Sequence, residues 1–164
     1  TPCFYNHFVT DREESFDQPG TPEEPKGHYI FDKPEPLWNF GHGKSYTTFD
    51  YVDCALSDTL LVASDTLKVS VTIKNTGRRD GKEVVQLYVR DKVSTVATPI
   101  QQLKAFQKVL IKPGESQCVE LSLPIAELAL YNAKMEEVVE PGDFEIQIGA
   151  ASDDIRFKKT ITIN

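Results

Sequence analysis

Cysteine is scarce in this sequence, where Cys3, Cys54 and Cys118 are the only three. The number is odd, and no CxxC or His-spaced pair surrounds any of them, so neither a zinc site nor a disulfide framework is indicated. Cys54 and Cys118 fall in β-rich apolar runs, where a buried free thiol is the common outcome. A Cys54–Cys118 bridge stays open. Long apolar runs are missing as well: nothing approaches the ~18 residues that read as a membrane span. Positive charge is in deficit, with 18 Lys and Arg against 25 Asp and Glu and a net charge of −7. Phosphate binding needs concentrated cations, so a nucleic-acid partner is excluded on composition. The short basic clusters, Lys74 with Arg78 and Arg79 and Lys158 with Lys159, read as solvated surface. Thr1 is not Met, and no basic-then-apolar leader follows it. The expectation is a chain that starts inside a larger protein.

What is present is organised around PLWNFGHGKSYTTFDY, Pro36 to Tyr51. Trp38, Phe40 and Tyr46 surround Gly41 and Gly43 in a run with neither helical nor strand period. The two glycines flank His42, which predicts a backbone turn with torsions that Gly adopts at least cost. From Tyr46 the chain turns β-rich. Before Pro36 it is polar and broken by Pro2, Pro19, Pro22 and Pro25. Asp11–Glu24 cannot bury enough apolar surface to order itself. Cys3, Phe4, Tyr5 and Phe8 on one side, and Tyr29, Ile30 and Phe31 on the other, are apolar patches that something must cover. Either they pack on the β domain or they belong to a body outside it. The predicted division is an irregular extension with its aromatic junction over 1–44, and one β domain over 45–164.

Within that domain, period-2 alternation marks the strands. Thr47–Leu56 is the first. Leu67–Asn75 places Leu67, Val69, Val71 and Ile73 on one face, and Asn75-Thr76-Gly77 closes it. Glu83–Arg90 turns Val85, Leu87 and Val89 inward and Gln86, Tyr88 and Arg90 outward. Gln101–Ile111 carries Leu103, Phe106, Val109 and Ile111, and Lys112-Pro113-Gly114 turns it. Gln117–Leu123, Phe144–Gly149 and Phe157–Ile163 complete the set. Only Pro124–Leu130 could form a helical turn. This predicts an all-β, two-sheet immunoglobulin/fibronectin III-like sandwich of about seven antiparallel strands. The lone Trp38 precedes the domain, so no Cys…Trp…Cys pattern exists and the fibronectin branch is favoured.

Several motifs, in order, carry a family resemblance. The junction, then VSVTIKNTGRRDGKEVVQLYVRD (Val69–Asp91), LKAFQKVLIKPGES (Leu103–Ser116) and VVEPGDFEIQIGAASDDIR (Val138–Arg156), resemble the C-terminal region of family 3 glycoside hydrolases, the β-glucosidase and β-xylosidase group. There an FGxGxSY junction leads into a fibronectin type III-like domain. Lys44 departs from the apolar residue more usual at its place. The resemblance implies a parent that cleaves terminal β-glycosides with retention, and a periplasmic or secreted location. It also implies that residues 1–33 are the tail of an α/β domain. The family's nucleophile and acid/base lie upstream of the junction, and no position here matches either motif.

The residues themselves agree with an absence of catalytic machinery. Glycoside hydrolysis takes two carboxylates about 5–10 Å apart. The pairs Asp50/Asp53, Glu136/Glu137 and Asp153/Asp154 sit at strand edges or in turns, where a solvated face explains them. His42 could act as a proton carrier on a Gly-rich loop, but a ring packed and hydrogen-bonded in the junction is the better account. His7 and His28 lack a partner at ligand spacing. Gly41–Ser45 lacks the full phosphate-loop spacing and precedes a strand. Asp143, Asp153 and Asp154 lack the alternating calcium-loop pattern. No cofactor is expected.

The sequence therefore reads as a non-catalytic structural domain, with no catalytic, substrate-binding or metal residues of its own. Trp38, Phe40, Gly41, His42, Gly43 and Tyr46 are its inter-domain junction, and its partners are the remaining catalytic domains of the parent. Oligosaccharide would meet it only through that parent. The rival is an autonomous carbohydrate-binding or cell-surface module, for which Tyr88 and Tyr131 are the exposed aromatics on offer. A ligand-free spacer is the third reading, against which the patches before Pro36 argue.

Overall fold

The structure, a computed structural model, describes residues 36–164; the apolar patches and histidines before Pro36 lie outside the described residues. Ten strands follow in chain order: β1 (Phe49–Leu56), β2 (Leu60–Leu61), β3 (Thr66–Asn75), β4 (Gly81–Asp91), β5 (Gln102–Ile111), β6 (Ser116–Pro124), β7 (Leu130–Tyr131), β8 (Glu137–Val138), β9 (Gly142–Gly149) and β10 (Ile155–Ile163). A single 3-10 turn, Ile125–Leu128, sits after β6, within the stretch expected to turn. Seven of the strands are the seven that alternation predicts, with ends shifted by a residue or two. The three two-residue strands are too short to show a period.

The long strands form two sheets. One has three strands in the order β1-β3-β6, the other five in the order β2-β10-β9-β4-β5, and β7 pairs with β8 apart from both. All neighbours are antiparallel except β2 and β10. Alternation decides which residues meet between the sheets, because successive side chains on a strand point to opposite faces. Leu67, Val69, Val71 and Ile73 of β3 are fully buried, facing Val85, Leu87, Ile146 and Ile148 of the other sheet in one continuous core. Each such side chain contributes about 1.5–3 kcal/mol of transfer free energy. A β-sandwich of fibronectin III-like build results.

Asn75 shows how a polar residue survives at the rim of that core. It is wholly buried. Its Nδ2 donates to the carbonyls of Arg79 and Ile111, each at 2.8 Å. Its Oδ1 accepts from Thr47 Oγ1 at 2.7 Å and from the Gly77 amide at 3.0 Å. All its bonding groups are matched, which burial of an amide requires. One side chain thereby joins the chain just before β1, the β3–β4 turn and the end of β5.

Two sequence expectations are corrected, for Tyr88 and for Cys118. Phe106, which the sequence named with β5 and gave no face, is 67% exposed. Its partner across the ladder is Gln86, so both lie on the outer face, while Val109 and Ile111 point inward. Phe106, Lys108 and Leu110 alternate outward against Val109 and Ile111, and the register shift at Leu87/Tyr88 lies beyond them, between Ala105 and Leu103. Tyr88 does lie on the outer face but is fully buried there, because other chain covers it. Cys118 is exposed while Cys54 is buried, and both are free thiols. Cys54 pairs with Val71 and Cys118 with Thr72, adjacent residues of β3 that point to opposite faces, so the two sulfurs lie on opposite sides of one sheet. Trp38 is 61% and Tyr46 93% exposed.

Candidate functional site at the entering segment

The segment that enters the domain, 36–48, crosses the outer face of the five-stranded sheet beside β4. It is held there by its backbone. The carbonyl of Phe40 accepts from the Ser152 amide at 2.9 Å. The carbonyl of Gly41 accepts from Gln86 Nε2 at 3.2 Å. The same Nε2 donates to the carbonyl of Ala150, and Gln86 Oε1 accepts from the Tyr88 hydroxyl at 2.6 Å. Asn39 Nδ2 donates to Asp153 Oδ2 at 2.6 Å, and Gln101 Nε2 donates to the carbonyl of Ser152 at 3.0 Å. The β9–β10 loop is thus clamped between the entering segment, β4 and the residue before β5. This covering is what buries Gln86 and Tyr88 on a face that alternation alone leaves in water.

The expected turn is there. The His42 amide donates to the Asn39 carbonyl at 3.0 Å, and Gly41 has φ of +81°, in the left-handed region. A Cβ on Gly41 would overlap Gln86 Oε1, whereas one on Gly43 would meet nothing within 4 Å. The two glycines are therefore unequal: Gly41 is required by approach and torsion, Gly43 by neither. His42 stacks on Trp38 with ring centroids 4.9 Å apart and an interplanar angle of 28°. Lys44 Nζ lies 5.7 Å from the Trp38 ring centre. The tip of the segment exposes the stacked Trp38 and His42 rings, and Phe40 is 46% exposed. Tyr46 stands over a groove of about 530 Å3 lined by Lys44, Lys82, Val84, Lys108 and Leu110.

The carboxylates are scattered. Asp50 and Asp53 are exposed on β1. Asp154 pairs with Arg156 through two contacts, 2.6 Å and 2.8 Å. Asp143 accepts from Thr162 at 2.7 Å, and Glu136 from Asn132 at 3.0 Å. Among the described residues no three His, Cys, Asp or Glu gather where a metal ion could be held. Glu83, on the inward face at the start of β4, is a carboxylate with a shifted titration; burial likewise raises Asp91 at the strand's other end. Burial holds the Glu83 pKa above the usual carboxylate range, although Glu83 accepts from the Tyr51 hydroxyl at 3.1 Å. Tyr51 is itself pushed above the ordinary phenol range, by burial first and by Glu83 second. Arg156, 5.7 Å from the Tyr51 ring centre, closes this end of the sandwich.

Residues 83–152 match the model of the fibronectin type III-like domain. A β-xylosidase of Formosa agariphila is 44% identical over 133 residues, which is 80% of this chain and 18% of that protein. A periplasmic β-glucosidase of Salmonella typhimurium is 36% identical over 154 residues, 92% of this chain and 19% of that protein. The crystal structure of β-glucosidase from Listeria innocua in complex with glucose superposes with a TM-score of 0.79 at 33% identity, over 99% of this chain and 22% of that one. The chain belongs to the fibronectin type III-like domains of family 3 glycoside hydrolases. It spans about a fifth of the length of the relatives it matches.

In this fibronectin type III-like domain, sequence reasoning found the entering segment and its aromatics but missed Gln86, Gln101 and Ser152, which hold it. One signal was available. Val84, Gln86 and Tyr88 run uncharged along the outward face of β4 between Lys82 and Arg90, a sign that something covers the middle of that face. No helix among the described residues is long and apolar enough to cross a membrane.

Proposed function

We propose that this chain is the non-catalytic structural domain of a larger β-glucosidase-like hydrolase, and that its entering segment is the junction with the catalytic domains. The observation that carries the reading is the build of that segment. Its backbone is fixed to the sandwich at Phe40 and Gly41, while Trp38, Phe40 and Tyr46 face outward. A segment that only capped its own domain would turn its aromatics inward; this one offers them to something else. Trp38, Phe40, Gly41, His42, Gly43 and Tyr46 are the contact residues in this reading, with the sandwich beginning at residue 45. The relatives' names, β-glucosidase and β-xylosidase, support a parent that cleaves terminal non-reducing β-glycosides, with retention as the family resemblance implies. The Salmonella relative's name supports a periplasmic or secreted parent.

Assay of this chain at high concentration against a panel of aryl β-glycosides tests the reading. No turnover is expected. Turnover above buffer that survives repurification would mean that carboxylates assigned here to surface and turns form a site. A second reading, an autonomous carbohydrate-binding module, draws on the exposed Trp38 ring, since an exposed indole can stack on a sugar. Measurable affinity for an insoluble polysaccharide, lost in Trp38→Ala, would favour it.

A further inference from the structure

The outer face of β4 and β5 carries an apolar strip that the domain does not cover. Across the two strands Phe106 pairs with Gln86, Lys108 with Val84 and Leu110 with Lys82, so these side chains point away from the core. Phe106 is 67% and Leu110 53% exposed, on a strand that forms the edge of its sheet. Tyr46 flanks the same groove as Val84 and Leu110, which makes the strip continuous with the entering segment. An exposed apolar surface on an edge strand is a pairing and aggregation hazard, and proteins cover such edges. Lysines 44, 82 and 108 line the groove together with Asp80 and Glu83, a local excess of positive charge on a chain that carries −7 as a whole.

We propose that this outer face of β4–β5 is a second docking surface for the body of the parent hydrolase, which meets it with an apolar patch flanked by carboxylates opposite Lys82 and Lys108. The proposal rests on the reading above that the chain is one domain of such a parent. Three features select this occupant. The strip adjoins the segment through which the chain enters the domain, so a body tethered there is held at high effective concentration against it. The relatives carry about four-fifths of their length outside the span that this chain matches, ample to cover it. The basic rim on an acidic chain disfavours a second copy, whose identical lysines would face these across a two-fold axis.

The test compares Phe106→Ser/Leu110→Ser in two proteins, the 164-residue chain and the full-length parent. In the chain alone the melting temperature stays put, because both side chains are already in water. In the parent the double variant lowers the melting temperature by several degrees and speeds exchange of the β5 amides roughly tenfold. Lys108→Glu alone shifts the parent the same way, less at high salt. Unchanged melting and exchange in the parent overturn the proposal. Trp38→Ala in the parent separates the two readings: if it loosens the parent and the strip variant does not, the strip proposal fails and the domain reading stands. If neither acts, both fail. Self-association of the chain that is lost in the strip variant, with no effect in the parent, assigns the strip to a second copy and also overturns the proposal.

Discussion

The Gln86 carboxamide donates to the carbonyl of Gly41 at 3.2 Å, across 45 positions of sequence. That contact fastens the entering segment to the middle of β4, and Gln86 spends its remaining capacity on Ala150 and Tyr88. Gln86→Leu keeps the volume, strands two carbonyls and removes an acceptor of the Tyr88 hydroxyl. The expected loss is about 2 kcal/mol, read as a lower urea midpoint at unchanged slope. An unchanged midpoint would mean that water takes over all three partners.

Gly41 and Gly43 look alike in sequence and differ in place. Gly41→Ala forces a Cβ into the left-handed region and onto Gln86 Oε1, for about 2 kcal/mol or more. Gly43→Ala, with open space around it, stays within ~0.5 kcal/mol. Equal effects of the two substitutions on the melting temperature would contradict the geometry.

Glu83 makes the sandwich sensitive to mild acid in an unusual direction. Its pKa is raised in the fold by burial, so the folded state holds the proton more tightly than the unfolded chain does. The stabilisation from that proton is complete below the unfolded pKa, near 4.3, and is lost as pH rises through the higher folded value. Glu83→Gln keeps an acceptor for the Tyr51 hydroxyl and removes the buried charge. The variant is therefore expected to unfold at higher urea than the wild type at about pH 7, with the gap closing towards about pH 4. A lower midpoint at neutral pH would show that the carboxylate is needed as a charge, through Arg156.

Cys118 is exposed and Cys54 is buried, with burial also raising the Cys54 thiol pKa. Access favours Cys118, and the raised pKa of Cys54 slows that thiol further. Brief treatment with a thiol reagent, followed by peptide mapping, is expected to modify Cys118 well before Cys54. Early loss of the Cys54 thiol, or recovery of a peptide linking the two, would overturn the opposed-face arrangement.

Much of this domain was legible because a half-buried strand writes its own burial into the sequence with period two. Leu67, Val69, Val71 and Ile73 could be placed on the core face of β3 from spacing alone, and the same holds for Val85, Leu87 and Val89. Leu60–Leu61 and the β7–β8 pair carried no period to read, and the register shift at Leu87/Tyr88 is a property of two strands together. The entering segment could be picked out from its aromatics and glycines, yet not how it is held.

The sequence by itself determined the seven main strands, their inward faces, the sandwich and the family. Those follow from local alternation, turn residues and ordered motifs, all carried by neighbours in the chain. Only the tertiary structure decided that Gln86 and Tyr88 are buried on the outer face, that Gly41 matters more than Gly43, and that Trp38, Tyr46, Phe106 and Leu110 are left uncovered. Each depends on which distant segment lies across a strand, and period two names a residue's face without saying what covers it.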